Sequence, residues 1–177
     1  MIKKVFLCLI SFILMQSLCF AKDKLQFDFP NDGWHKVASP DGVESKKCYV
    51  PYNQTGENYT EMLIFSERIL KTQELSPVVI MQKQLGKDRN NYQDITPEYI
   101  SHDLNDAMVT WCSQIKNTCV IQRAFKGEEG IILVTYMNKS PHYSQNMFGQ
   151  WSNILSNIKV YSPESGEKTP DNLIELD

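Results

Sequence analysis

Cys119-Val-Ile-Gln-Arg-Ala-Phe125 and Ile131-Ile-Leu-Val-Thr-Tyr-Met-Asn138 stand on either side of Lys126-Gly-Glu-Glu-Gly130. Two runs dominated by β-branched and aromatic residues, joined by a short polar segment bounded by glycines, have the chemistry of an antiparallel hairpin. Glycine supplies the turn conformations that a side chain resists, and the paired glutamates keep the tip in water. The hairpin predicts an antiparallel sheet at the centre of the fold, and the flanking segments decide what covers it.

On the C-terminal side, Ser140-Pro141 is a helix-start signal, and Met147, Phe148, Trp151, Ile154, Leu155 and Ile158 share one face to about Asn157. On the N-terminal side, Thr96-Pro97-Glu98 carries a similar signal. Tyr99, Ile100, Leu104, Met108 and Trp111 follow at three- and four-residue steps, predicting a helix from about Pro97 to Cys112. Ser76-Pro77 predicts a further helix to Leu85, with a mobile loop from Gly86 to Asp94. Upstream the pattern is a meander. Leu25, Phe27 and Phe29 alternate with polar residues up to Pro30, and strands are expected at Trp34 to Ala38, Lys47 to Tyr52 and Thr60 to Ile69. Asn31-Asp32-Gly33, Pro40-Asp41-Gly42 and the polar stretch Asn53 to Asn58 join them. With no internal repeat and no second apolar core, the fold class is α+β: one antiparallel sheet flanked by helices in a single domain.

The two ends read differently. Lys3 and Lys4 precede an apolar run from Val5 to Leu14, and Cys19-Phe20-Ala21 puts small residues at the positions a signal peptidase reads. Residues 1–21 are therefore expected to be a cleaved export signal, since the apolar run is short of the roughly 20 residues that span a bilayer. The expected product is an exported protein, periplasmic or secreted from a bacterium, with no stable membrane anchor after cleavage. Residues 22–161 form its domain, and the composition of residues 162–177 is that of a flexible tail.

Cleavage removes two of the 18 basic residues and none of the 21 acidic ones, leaving a net charge near −5. An acidic surface without a basic stripe argues against nucleic acid as a partner. Cys48, Cys112 and Cys119 survive cleavage, and an oxidising compartment favours pairing two of them. Three pairings are open. Local closure through the Lys116-Asn117 turn favours a disulfide between Cys112 and Cys119, leaving Cys48 as a buried thiol in a strand.

Catalytic chemistry has little to stand on. His35, His102 and His142 have no ligand-spaced His or Cys neighbour, so no metal site is expected, and the glycines form no phosphate loop, so no cofactor is expected. His102 with Asp106 would form a base oriented by an acid if both lay on one helix, and Cys48 with His35 or His142 would be a thiol nucleophile and its base. Glu128 and Glu129 at the hairpin tip are explained by turn chemistry. Aromatic residues are the positive signal, because amphipathic rings suit contact surfaces. Tyr52 and Tyr59 bracket a polar loop, and Tyr92 sits in the expected loop from Gly86 to Asp94, making these three the candidate partner-binding residues. Trp111 and Trp151 are expected in the core.

Phe27-Asp-Phe-Pro-Asn-Asp-Gly-Trp34 resembles the opening strand, proline and Gly-Trp turn of PsbP/Mog1-like domains, including DcrB-like bacterial envelope proteins. Phe148 to Ile158 with the closing Ser156-Asn-Ile-Lys-Val160 resembles their last helix and short strand. The resemblance implies a sheet flanked by helices and a binding, assembly or accessory role without a shared catalytic residue. The Cys112–Cys119 clip and the helix at Ser76 to Leu85 depart from it. The function expected is thus a non-enzymatic exported module that binds a protein partner or a small extracellular ligand; the alternative is a small secreted hydrolase built on His102 or His142 with an acid.

Overall fold

A computed structural model describes residues 24–30, 33–69, 75–128, 130–140, 145–161 and 169–176. The expected export signal, Glu129 and His142 lie outside these residues. The expected hairpin is present as β7 (Thr118–Lys126) and β8 (Gly130–Asn138), closed by Gly127 N donating to Gly130 O at 2.7 Å. Both strands are apolar on both faces, the mark of a sheet covered on both sides.

Around the hairpin the chain adds β2 (Trp34–Val37), β3 (Lys46–Pro51), β4 (Glu61–Ile69), β5 (Glu98–His102) and β6 (Asp106–Ser113). They form a seven-stranded antiparallel sheet in the order β2-β3-β4-β8-β7-β6-β5. A second sheet has three strands, with β1 (Lys24–Gln26) between β9 (Lys159–Tyr161) and β10 (Leu173–Glu175). Helix α1 (Pro77–Asn91) packs on β6 and β7 from one face. Helix α2 (Gln145–Ser156) and the small sheet cover the other.

Alternation along the strands sends side chains to the two faces of the sheet, where the two larger cores form beside a small cluster of Cys48, Val50 and Met62. Ile131 and Leu133 join Val109, Trp111, Val120 and Ala124 under Met81 and Leu85 of α1. Ile132, Val134 and Tyr136 join Phe65, Met108, Ile121 and Phe125 under Trp151 and Leu155 of α2 and Leu25 and Ile174 of the small sheet.

Three expectations are corrected. No helix spans Pro97 to Cys112; that segment is β5, a turn and β6. Because β6 is buried on both faces, its period of two is masked, and chance spacing imitates a helical stripe. Tyr99, Ile100 and Leu104, the start of that supposed stripe, are exposed. The loop expected from Gly86 to Asp94 is largely helix, since α1 continues to Asn91. Its start is as expected, with Ser76 Oγ accepting from Val79 N and Pro77 at the first turn. The third correction concerns the tail: Leu173–Glu175 pairs with β1, and Ile174 and Leu176 are buried. Two apolar side chains in a polar segment suffice to dock its end.

One side chain ties the layers together. Arg123 of β7 donates from Nε and Nη2 to Asp106 Oδ2 at 2.6 and 2.5 Å, an ion pair between neighbouring strands. Its Nη1 donates to the carbonyls of Leu155, Ser156 and Ile158 at 2.6, 3.1 and 3.0 Å, just where α2 ends and its last carbonyls lack helical partners. Arg123→Met should cost about 2–4 kcal/mol in chemical denaturation, because it strands a poorly solvated carboxylate and uncaps α2. Arg123→Lys should recover only part, since an ammonium cannot serve both partners in one plane.

Candidate functional site

The opening segment seen in the sequence places its rings along one seam. Phe27 and Phe29 follow β1, Trp34 begins β2 opposite Pro51, and Tyr49 lies on β3. Their rings form a continuous chain through the α2-side core. Phe65 meets Phe27 at 5.3 Å and Tyr49 at 5.8 Å between centroids, and Phe29 meets Phe27 at 4.8 Å and Tyr49 at 5.0 Å. Phe29 stacks on Trp34, Trp34 meets Trp151 edge-on at 5.5 Å, and Trp151 stacks on Tyr136 at 3.9 Å. Offset and edge-to-face contacts of this kind stabilise beyond area burial and leave each ring few alternatives.

The chain of rings is open to solvent around Trp34. A cavity of about 470 Å³ is walled by Phe27, Phe29, Trp34 and Tyr49 and rimmed by Asp28, Asp171 and Asn172. A second, of about 280 Å³, is lined by Trp34 together with Pro30, Pro51, Glu61, Met147, Gln150 and Trp151. Trp34 is common to both, so they are two halves of one cleft. Its polar groups are held in place: Glu61 Oε2 accepts from Tyr136 Oη at 2.8 Å, that hydroxyl accepts from Asn138 Nδ2 at 3.0 Å, and Asp28 accepts from Asn172 Nδ2. Burial pushes the Tyr49 phenol above its ordinary range, keeping it a hydrogen-bond donor at neutral pH. Among the described residues lining the two halves, three are carboxylates and none is basic.

The tyrosines expected to bind a partner are not gathered there. Tyr52 is 70% exposed beside the Asn53 to Asn58 loop and stacks on His35. Tyr59 is half-buried under Lys139, with its hydroxyl on Met137 Sδ at 3.5 Å. Tyr92 lies against Trp111 under Lys116. The cleft is hard to see in the sequence because Phe27 and Phe29 alternate like the core side of a half-buried strand, and Trp34 and Tyr49 are two among many aromatic residues. The signal available was the crowding of Phe27, Phe29 and Trp34 around Pro30 and Gly33.

Of the candidate catalytic groups, His142 lies outside the described residues, and His35 sits diagonally across from Cys48 on neighbouring strands. His102 leaves the expected helix for β5, where its ring meets Tyr99, while Asp106 is engaged by Arg123. Cys48 is fully buried in β3, and desolvation raises its pKa, so the thiol stays protonated and is a poor nucleophile. Among the described residues, no three His, Cys, Asp or Glu side chains are grouped to hold a metal ion.

Cys112 and Cys119 are bonded, facing one another across β6 and β7 on the α2 side of the sheet. The expected turn lies between the two cysteines, with Asn117 in the left-handed region at φ +46°. Asp94 buttresses this turn by accepting from Ser113 Oγ at 2.6 Å and Ile115 N at 3.0 Å, bonds that lower its pKa. A groove of about 550 Å³ beside the disulfide is lined in part by Asp94, Glu98 and Phe148. Its floor at Thr110 is occupied with the sheet's own bonding, Oγ1 donating to Val120 O. The adjoining edge strand β5 is bulged between Tyr99 and Ser101, a device that turns an edge away from strand addition.

No family model matches the chain, and no curated protein matches it in sequence. Among solved structures, the solution structure of cyanobacterial PsbP (CyanoP) from Synechocystis sp. PCC 6803 is similar over 81% of this chain and 95% of its own, with a TM-score of 0.50 at 10% identity. The fold is PsbP-like. The likeness is one of architecture, as the opening Phe27 to Trp34 segment and the last helix had implied.

Within this PsbP-like fold, one titratable group is buried between α1 and the sheet. Asp88 is 7% exposed, with Oδ1 accepting from Gln84 Nε2 and Oδ2 from Gln122 Nε2, both at 2.9 Å. Desolvation outweighs these bonds and raises its pKa above 3.8. A raised carboxyl pKa means that the folded state holds its proton more tightly, so the associated stability is complete below pH 3.8 and is lost as pH rises through the folded value. Asp88→Asn removes this loss. Its amide nitrogen would also face Gln122, whose Oε1 is buried without a partner. Thermal unfolding at pH 7 should show a raised Tm, with the gain vanishing below pH 3.8.

Proposed function

We propose that this protein is an exported, non-enzymatic module of a bacterial envelope or secretion-related process, and that it works by binding a protein partner in the aromatic cleft around Trp34. The observation that carries the reading is the cleft itself: rigid rings open to solvent in two recesses that share one tryptophan, with hydrogen-bonded carboxylates at the rim. Interfaces draw most of their affinity from a few such aromatic anchors set in water-excluding surroundings. Export is supported by the basic and apolar N-terminal segment in the sequence and by the Cys112–Cys119 disulfide, a bond suited to an oxidising compartment.

The same reading explains the burial of the remaining chemistry. Cys48 is held protonated in the sheet and Asp106 is spent on Arg123. Asp106, the acid expected beside His102 in the hydrolase alternative, is engaged by Arg123 instead, and His142 lies outside the described residues.

Chemical cross-linking in the source cell should trap a defined heteromeric product with the wild-type protein. Trp34→Ala should reduce that product at least tenfold while leaving the amount of exported protein unchanged. A product that persists unaltered in Trp34→Ala contradicts the reading, as does hydrolytic turnover that disappears in His102→Ala.

A further inference from the structure

Trp34 lines two recesses that share a chemistry. In one, the indoles of Trp34 and Trp151 converge near the Glu61 carboxylate; in the other, the rings of Phe29, Trp34 and Tyr49 converge near Asp28 and Asp171. An aromatic face carries negative potential, so a cation above it is attracted by the ring and by the nearby carboxylate together. A neutral ligand would use the rings but leave three carboxylates to be desolvated for nothing, and an anionic one would be repelled. The chain as a whole reinforces the preference, with 21 acidic residues against 18 basic ones before any signal is removed.

We infer that the occupant of the cleft is a basic, extended segment of the partner, with one arginine or lysine side chain entering the recess at Glu61 and another entering the recess at Asp28 and Asp171. This rests on the binding role proposed above and specifies its chemistry. Arginine suits both recesses better than lysine, because a planar guanidinium stacks on an indole while its edge donates to a carboxylate. Glu61 presents such an acceptor already oriented, since Tyr136 holds one of its oxygens and the ring of Tyr136 is itself pinned beneath Trp151. The recess of about 280 Å³ accommodates one side chain and excludes a folded element, so the segment that delivers it is extended or a loop tip.

The test uses synthetic nonapeptides of matched length titrated into the protein by calorimetry, with the Trp34 indole N–H signal followed by NMR. One peptide carries two arginines, a second has glutamine in their place, and a third is polyproline. The arginine peptide should bind at least tenfold more tightly than the other two and shift the Trp34 signal, with affinity falling severalfold from 50 to 200 mM salt. Glu61→Gln and Asp171→Asn should each weaken it about fivefold. Asp171 is exposed, so its variant keeps the fold, and Trp34→Phe should retain much of the binding that Trp34→Ala loses.

Equal affinity for the arginine and glutamine peptides, both dependent on Trp34, overturns the cationic occupant while leaving the cleft as the binding surface. Preferential binding of polyproline does the same. Arginine-peptide binding that is indifferent to Trp34 or to both carboxylate variants places the contact elsewhere and overturns the inference, as does failure of every peptide to bind.

Discussion

Arg123 reaches from the central part of the seven-stranded sheet to the final turn of α2, and much of the molecule's geometry follows from that one reach. A helix end offers carbonyls with negative partial charge, and a guanidinium offers donors in a fixed plane. Here one plane serves both a carboxylate on β6 and three carbonyls at the end of α2. The tie sets where α2 lies across the sheet. It thereby sets where Trp151 falls: against Tyr136 on one side and Trp34 on the other. The cleft is downstream of a structural salt bridge, which explains how a site can be preorganised in a domain whose strands contribute only side-chain walls.

The two faces of the sheet divide the labour. On the α1 side, Asp88, Gln84 and Gln122 place a polar cluster within a core of aliphatic side chains and Trp111, with one acceptor left unsatisfied. On the α2 side the core is aromatic and reaches the surface. Polar burial under α1 sacrifices stability near neutral pH, whereas the ring chain under α2 gains it and also supplies a contact surface. The disulfide joins β6 to β7 near their turn, in the row of the sheet that runs on through Asn138 to Glu61, and it steadies the edge that carries the bulged β5.

Much of this was legible in the residues. The glycine-bounded hairpin, the Ser76-Pro77 helix start, the stripe from Met147 to Ile158 and the Cys112–Cys119 pairing rest on local chemistry that tertiary packing did not override. The segment from Pro97 to Cys112 was misread because a strand buried on both faces loses its alternation, and Tyr99, Ile100 and Leu104 supplied a false helical stripe at an exposed edge. Gly86 gave a loop signal that the packing of Leu85 of α1 onto the sheet overcame. The end of the tail was missed because its pairing with β1 is long-range and its buried apolar residues, Ile174 and Leu176, are few. The cleft itself was only half visible. Its rings stood in the sequence, but their opening to solvent depends on α2 arriving beside Pro51 and Glu61, a long-range arrangement that no local pattern encodes.

Whether the cleft exists ready-made in the free protein is the question on which the account turns, and a two-dimensional nuclear Overhauser spectrum of the unliganded chain answers it most directly. The account predicts intense cross-peaks from Trp34 to Trp151 and Phe29, from Trp151 to Tyr136, and from Phe29 to Tyr49, with a single resolved set of Trp34 ring signals. Absence of the Trp34 to Trp151 contact, or averaging of the Trp34 ring among several environments, would contradict it.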